Sequence, residues 1–161
     1  MSQKLIFISG SSCVGKTTVG IKLYKEFNNS AYLDSDWVWC VHPFSIKDPR
    51  LRKEDKNISY VLSNYLNSNF DYVFCSSVLF TYRDIRENII KNIKSNNYDI
   101  IGISLICTEN TLSERYKKRG NNNQMSDHWL RLGPYPGDYI INTDNKNVKD
   151  IIEEIKNIIM K

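Results

Sequence analysis

The sequence holds only four cysteines in 161 residues, and no two of them form a Cys-x-x-Cys pair. Cys13, Cys40, Cys75 and Cys107 are spread along the chain. That spacing excludes a zinc ribbon and predicts reduced thiols in a cytoplasmic protein rather than a disulfide framework. Glycine and proline are also scarce, at seven and four residues, and there are no internal repeats. Low-complexity linkers and repeat architectures are therefore excluded, and one domain spanning residues 1–161 is expected. No apolar run approaches the roughly 20 residues needed to cross a bilayer, so no membrane partner is expected. Ser2–Gln3–Lys4 runs directly into a short apolar stretch, without the pattern of a leader peptide. An excess of one charge is missing as well: 22 basic against 18 acidic residues give a net +4. Such a balance suits a small anionic ligand. No basic track for nucleic acid is visible, the densest cluster being Tyr116–Lys117–Lys118–Arg119.

What the chain does have is a regular alternation of short apolar runs with amphipathic stretches. Candidate strands are Lys4–Ser9, Ala31–Asp34, Tyr72–Ser76, Ile100–Cys107 and Tyr139–Asn142. All are short and rich in β-branched or aromatic residues, as strands buried on both faces should be. Candidate helices are Lys16–Phe27, Ser59–Asn67, Arg83–Ser95 and Thr111–Arg119, the last opening with a Thr111-x-x-Glu114 capping box. The final helix is the clearest, with Val148, Ile151, Ile152, Ile155, Ile158 and Ile159 at helical spacing and Asn147 as N-cap. Strand–helix alternation of this kind predicts an α/β fold, a parallel sheet with helices on both faces. Ligands of such sheets gather at the C-terminal ends of the strands, which directs attention to Gly10–Thr17, Asp34–Trp39, Ser76–Arg83 and the segment after Cys107.

At the first of these ends lies Gly10–Ser11–Ser12–Cys13–Val14–Gly15–Lys16–Thr17, a Gly-x-x-x-x-Gly-Lys-Thr loop between a buried strand and an amphipathic helix. That flanking context is what gives the motif its meaning. The glycines let the loop wrap with its amides pointing inward, forming an anion nest at a helix N-terminus. The expected ligands are ATP and magnesium. Residues Gly10 to Thr18 would cradle the phosphates, with Lys16 reaching the β- and γ-phosphates and the Thr17 hydroxyl on the metal.

Two absences narrow the class. ATPases of the motor and switch type end an apolar strand with a metal-holding Asp, whereas Tyr72–Ser76 runs into Cys75–Ser76–Ser77, and Asp71 lies at its other end. The guanine-reading Asn-Lys-x-Asp is also missing, since Asn145–Lys146 is followed by Asn147–Val148. Instead, Tyr-Leu-Asp-Ser-Asp-Trp places Asp34 and Asp36 at the end of the second strand, where residues i and i+2 point the same way. One carboxylate can serve the metal shell and the other an acceptor hydroxyl. Asp-Ser-Asp is equally good turn chemistry.

With these motifs the chain resembles the small P-loop kinases, a broad family that includes shikimate kinase, gluconate kinase, nucleoside monophosphate kinases and antibiotic phosphotransferases. The resemblance implies a three-layer P-loop fold with five parallel strands in the order 2-3-1-4-5 and a small helical lid over about residues 110–132. Asp34-Ser35-Asp36 is similar to the shikimate kinase motif, whose first Asp helps hold magnesium and whose second holds substrate. The glycine triplet of that enzyme after the third strand is replaced by Cys-Ser-Ser-Val-Leu-Phe, so shikimate itself is not expected. After the fourth strand, Arg115 and Arg119 lie four residues apart on one helix face. In the resembling kinases the lid begins here, and one of the two arginines would compensate charge on the transferring phosphoryl group. Either fits, with Arg131 a third candidate and Gly120–Asn123 a hinge.

The acceptor side is less defined. Trp37, Trp39 and Phe44 crowd a loop and would be either core or pocket wall. His42, Tyr82, Arg83 and Arg86 are further candidates near the strand ends. The expected activity is transfer of the γ-phosphate of ATP to a hydroxyl or phosphate of a small molecule or nucleotide, by a monomer or homodimer. The alternatives are a nucleotide-binding switch with slow ATPase activity, and a nucleic-acid end kinase, which would need the missing basic track.

Overall fold

The structure, a computed structural model, describes residues 2–43, 45, 48–120 and 132–161. Strand β1 (Gln3–Gly10) is the centre of the sheet because Leu5, Ile6, Phe7 and Ile8 are apolar without interruption and are fully buried. Around it stand β2 (Ser30–Asp34), β3 (Tyr72–Ser76), β4 (Tyr98–Ile106) and β5 (Tyr139–Asn142), all parallel, in the order β2-β3-β1-β4-β5. The expected topology is thus observed.

Alternation along each strand divides the core in two. Ile6 and Ile8 of β1, Phe74, Ile103 and Ile141 face helices α1 (Lys16–Leu23) and α5 (Val148–Ile159). Leu5, Phe7, Leu33, Val73 and Cys75 face α2 (Pro49–Asn67) and α3 (Arg83–Asn92). Helix α4 (Glu109–Lys118) follows β4. Among the described residues, no helix is long and apolar enough to cross a membrane.

Several boundaries differ from expectation. Helix α2 begins at Pro49, ten residues before Ser59. Its first turns carry no apolar stripe, yet Asp48 caps it by accepting from Arg50 N at 2.9 Å, with Pro49 in the first turn. Helix α1 ends at Leu23 and passes into a 3-10 turn at Tyr24–Glu26, and α3 stops at Asn92. The cap of α4 is Thr108, whose Oγ1 accepts from Thr111 N, so Thr111 is not the capping residue. Asn147 does cap α5, accepting from Asp150 N at 3.0 Å. Burial on both faces fails at one edge: Asp99, Ile100, Tyr139 and Ile140 are exposed. The four cysteines are free, with Cys75 buried and Cys40 exposed.

Candidate functional site

The turn from β1 into α1 is built on positive-φ positions. Gly10 has φ 137° and Gly15 has φ 113°. At Gly10 a Cβ would also run into the carbonyl oxygen of Leu105 on β4, so glycine is required twice over. Cys13 adopts φ 63°, and the Val14 side chain turns down into the core. The loop is therefore pinned from below by Val14 while its amides stay at the head of α1, where backbone donors and the helix dipole favour an anion.

Lys16 folds back over this loop, its Nζ donating to the Ser11 carbonyl at 2.8 Å. Burial lowers its pKa to about 8, against the opposing pull of the Asp36 and Asp34 carboxylates. Thr17 Oγ1 donates to Asp34 Oδ2 at 2.6 Å, joining the head of α1 to the end of β2. Asp34 also accepts from Asp36 N at 3.1 Å on Oδ1, capping the 3-10 turn Ser35–Val38. One carboxylate thus serves both the turn, through Oδ1, and the junction with α1, through Oδ2. Asp36 has its pKa raised, first by partial burial and then by the Asp34 carboxylate, against the pull of Lys16.

Ser12, Cys13, Gly15, Lys16, Thr17, Thr18, Asp34, Asp36, Arg115 and Arg119 all line one cleft, joined by Ser77 and Val78 after β3. The two arginines at the C-terminal end of α4 differ sharply. Arg115 donates through Nη1 to Val14 O (3.0 Å) and Thr143 Oγ1 (2.9 Å), and through Nη2 to Thr143 O (3.0 Å). It braces the phosphate loop against the end of β5. Arg119 reaches Cys13 Sγ at 3.4 Å across the loop.

The donor set fits magnesium: a threonine hydroxyl and a carboxylate, both hard oxygen ligands, meet beside the anion nest. Among the described residues no group of three His, Cys, Asp or Glu side chains could hold a metal by itself. That suits an ion bound by one or two protein oxygens together with phosphates.

Other candidate residues lie elsewhere. Arg86 is buried with its guanidinium on Asp138, Nη1 to Oδ1 at 2.8 Å and to Oδ2 at 3.0 Å, between the rings of Phe7 and Tyr135. It is a core residue and no acceptor contact. Arg83 is exposed and pairs with Glu87 at 2.8 Å. His42 is exposed, and Trp37, 56% exposed, is neither core nor part of the cleft lining. Phe44, Arg131, Asn121–Asn123 of the expected hinge and with them the 121–131 part of the expected lid over 110–132 lie outside the described residues. Ser77 and Val78 fall in the expected Ser76–Arg83 segment, whereas Tyr32 and Thr143 are not among the candidates the sequence offers. Tyr32, whose hydroxyl donates to Asp34 Oδ2 at 3.3 Å, could have been found from its i−2 relation to Asp34.

Comparison with known proteins bears on the same architecture. No curated protein matches the sequence. Among solved structures, the tunicamycin resistance protein of Deinococcus radiodurans is similar at 16% identity and TM-score 0.76, covering 98% of this chain and 95% of its own. The Mycobacterium tuberculosis APS kinase, in complex with AMPPNP and APS, shows 13% identity and TM-score 0.70 over 99% of both chains. A gluconokinase from Sinorhizobium meliloti shows 15% identity and TM-score 0.66 over 95% and 89%. At these identities the likeness is one of fold. The AAA domain family matches residues 6–131, from within β1 to beyond α4. With its phosphate loop at the head of α1 and its 2-3-1-4-5 sheet, the chain belongs to this AAA domain family of P-loop proteins and has the fold of the small P-loop kinases.

Proposed function

We propose that the protein is an ATP- and magnesium-dependent phosphotransferase that moves the γ-phosphate to a hydroxyl or phosphate of a small molecule or nucleotide. The observation that carries this reading is the convergence of Lys16, Thr17, Asp34 and Asp36 on a single cleft. The phosphate-loop amides and Lys16 bind and orient the triphosphate. Thr17 and Asp34 would hold magnesium, which when bound neutralises charge on the phosphate oxygens. Asp36, which lines the same cleft, orients the acceptor hydroxyl and accepts its proton. The acceptor oxygen then forms its bond to the γ-phosphorus as the bond to the bridging oxygen breaks and ADP leaves. Arg119, which touches the loop at the Cys13 sulfur, is the arginine that turns onto the transferring group. Arg115, spent on three protein oxygens, holds the loop in place.

The likeness to an APS kinase holding AMPPNP supports a nucleoside triphosphate as donor. The test is an acceptor screen: ATP consumption measured across nucleosides, nucleotides, sugars and antibiotic-like alcohols. One class is expected to be phosphorylated well above background hydrolysis, and Asp36→Asn should abolish that transfer with nucleotide binding nearly intact. If no acceptor exceeds hydrolysis, a nucleotide-dependent switch replaces the kinase.

A further inference from the structure

The third strand of the sheet ends without an acid. In register with Asp34 of β2, β3 carries Ser76. Between the two lies the hydroxyl of Tyr32, two residues before Asp34 on the same face of β2. It is 2.7 Å from Ser76 Oγ and donates to Asp34 Oδ2 at 3.3 Å. The same carboxylate oxygen accepts from Thr17 at 2.6 Å, and its twin accepts from Asp36 N. Asp34 is thus held on both oxygens, Oδ2 by Thr17 and Tyr32 and Oδ1 by the Asp36 amide.

We propose that Tyr32, backed by Ser76, is a positioning residue that aims the Asp34 carboxylate at the nucleotide's magnesium ion; this rests on the phosphotransferase reading above. Two independent features show that the ring itself is held in register. Tyr24 stacks on it with centroids 5.6 Å apart and planes 8° apart, while Trp37 meets it edge-on at 5.5 Å, so the ring has no room to swing. Across from it, α1 carries a glycine in mid-helix. A Cβ at Gly20 would collide with the Tyr32 ring and come within 2.9 Å of its hydroxyl oxygen. Glycine inside a helix is unfavourable relative to alanine, and here it leaves space for this one phenol. A carboxylate that ligates a metal needs such partners to keep its orientation when the ion arrives, and their loss weakens metal affinity rather than folding.

The variant is Tyr32→Phe, which keeps the ring and deletes the hydroxyl. Binding of a fluorescent ATP analogue is measured in EDTA and across a magnesium titration. Metal-free affinity is expected to stay within about twofold of wild type. The magnesium concentration giving half the affinity gain should rise about 10-fold, the low end for a partner of a metal-binding group because the 3.3 Å bond is long. Ser76→Ala should shift it the same way by less, since Tyr32 still reaches Asp34 directly. An unchanged magnesium titration in Tyr32→Phe overturns the proposal, and so does an equal loss of affinity with and without metal. If Tyr32→Phe does not fold, Ser76→Ala decides alone, and no shift there overturns it. A wild-type affinity indifferent to magnesium sinks the metal site of the phosphotransferase reading itself, a failure distinct from the others.

Discussion

Replacing Asp138 with alanine removes one half of an ion pair that water barely touches. The side chains of Arg86 and Asp138 are 3% and 2% exposed. Arg86 lies 4.9 Å from the Phe7 centroid and 3.9 Å from that of Tyr135, so the guanidinium left behind has aromatic walls and little solvent to turn to. Ser104 Oγ, which donates to Asp138 at 2.7 Å, loses an acceptor too. Breaking a buried pair from one side costs about 3–5 kcal/mol. For a domain of this length each kcal/mol moves Tm by about 2–4 °C, so a fall of roughly 6–20 °C is expected. Thermal and urea unfolding read it directly. The double variant Arg86→Met/Asp138→Leu, which removes both charges and refills the space, should recover more than half of the loss. A single variant within about 1 kcal/mol of wild type would refute the reasoning. So would a double variant as unstable as the two single losses added together.

The low pKa of Lys16 gives nucleotide binding a pH dependence. Metal-free affinity should fall as pH rises through about 8, where the free protein loses that charge, by at most about tenfold per pH unit. A flat profile between pH 7 and 9.5 would contradict it. The sign for folding is opposite: the unfolded chain keeps the proton up to the ordinary lysine value of 10.5, so the contribution of Lys16 to stability improves between pH 8 and 10.5. Arg115→Ala should cost about 1.5–3 kcal/mol by urea denaturation through its lost charged hydrogen bonds. Arg119→Ala should leave stability near wild type and slow turnover roughly 100-fold or more, and the reverse pattern would exchange their roles. Gly20→Ala puts a better helix former on α1, yet it should destabilise by about 1–3 kcal/mol through the clash with Tyr32. A stabilised variant would show that the ring yields.

The parts legible in the sequence are those whose cause is local. The phosphate loop is one such case, because its glycines, Lys16 and Thr17 act within eight residues of one another. Helix α5 is another, since its isoleucines repeat at the helical period and Asn147 caps it. Where local cues competed, errors arose: Thr108 and Thr111 both look like caps, and only the end of β4 decides between them. The first half of α2 was hidden because its polar run lacks a stripe, although Asp48–Pro49 announced a start. Arg86 and Asp138 are 52 residues apart, and Tyr32 and Ser76 are 44 apart. The first pair meets by packing of α3 against the turn before β5 and the second by pairing of β2 with β3, and no spacing rule along the chain brings either together.

The sheet's division of the core bears on how such a protein can change. Val14, which pins the phosphate loop, packs on the α1 and α5 side. Phe80 and Val38, which follow β3 and β2, pack on the α2 and α3 side. On the phosphotransferase reading proposed above, the two halves of a transfer would rest on separate foundations, with one sheet as the wall between them. Substitutions that repack the second foundation would then reshape which acceptor enters without loosening the grip on the donor. One scaffold can in this way keep its donor while it exchanges its acceptors.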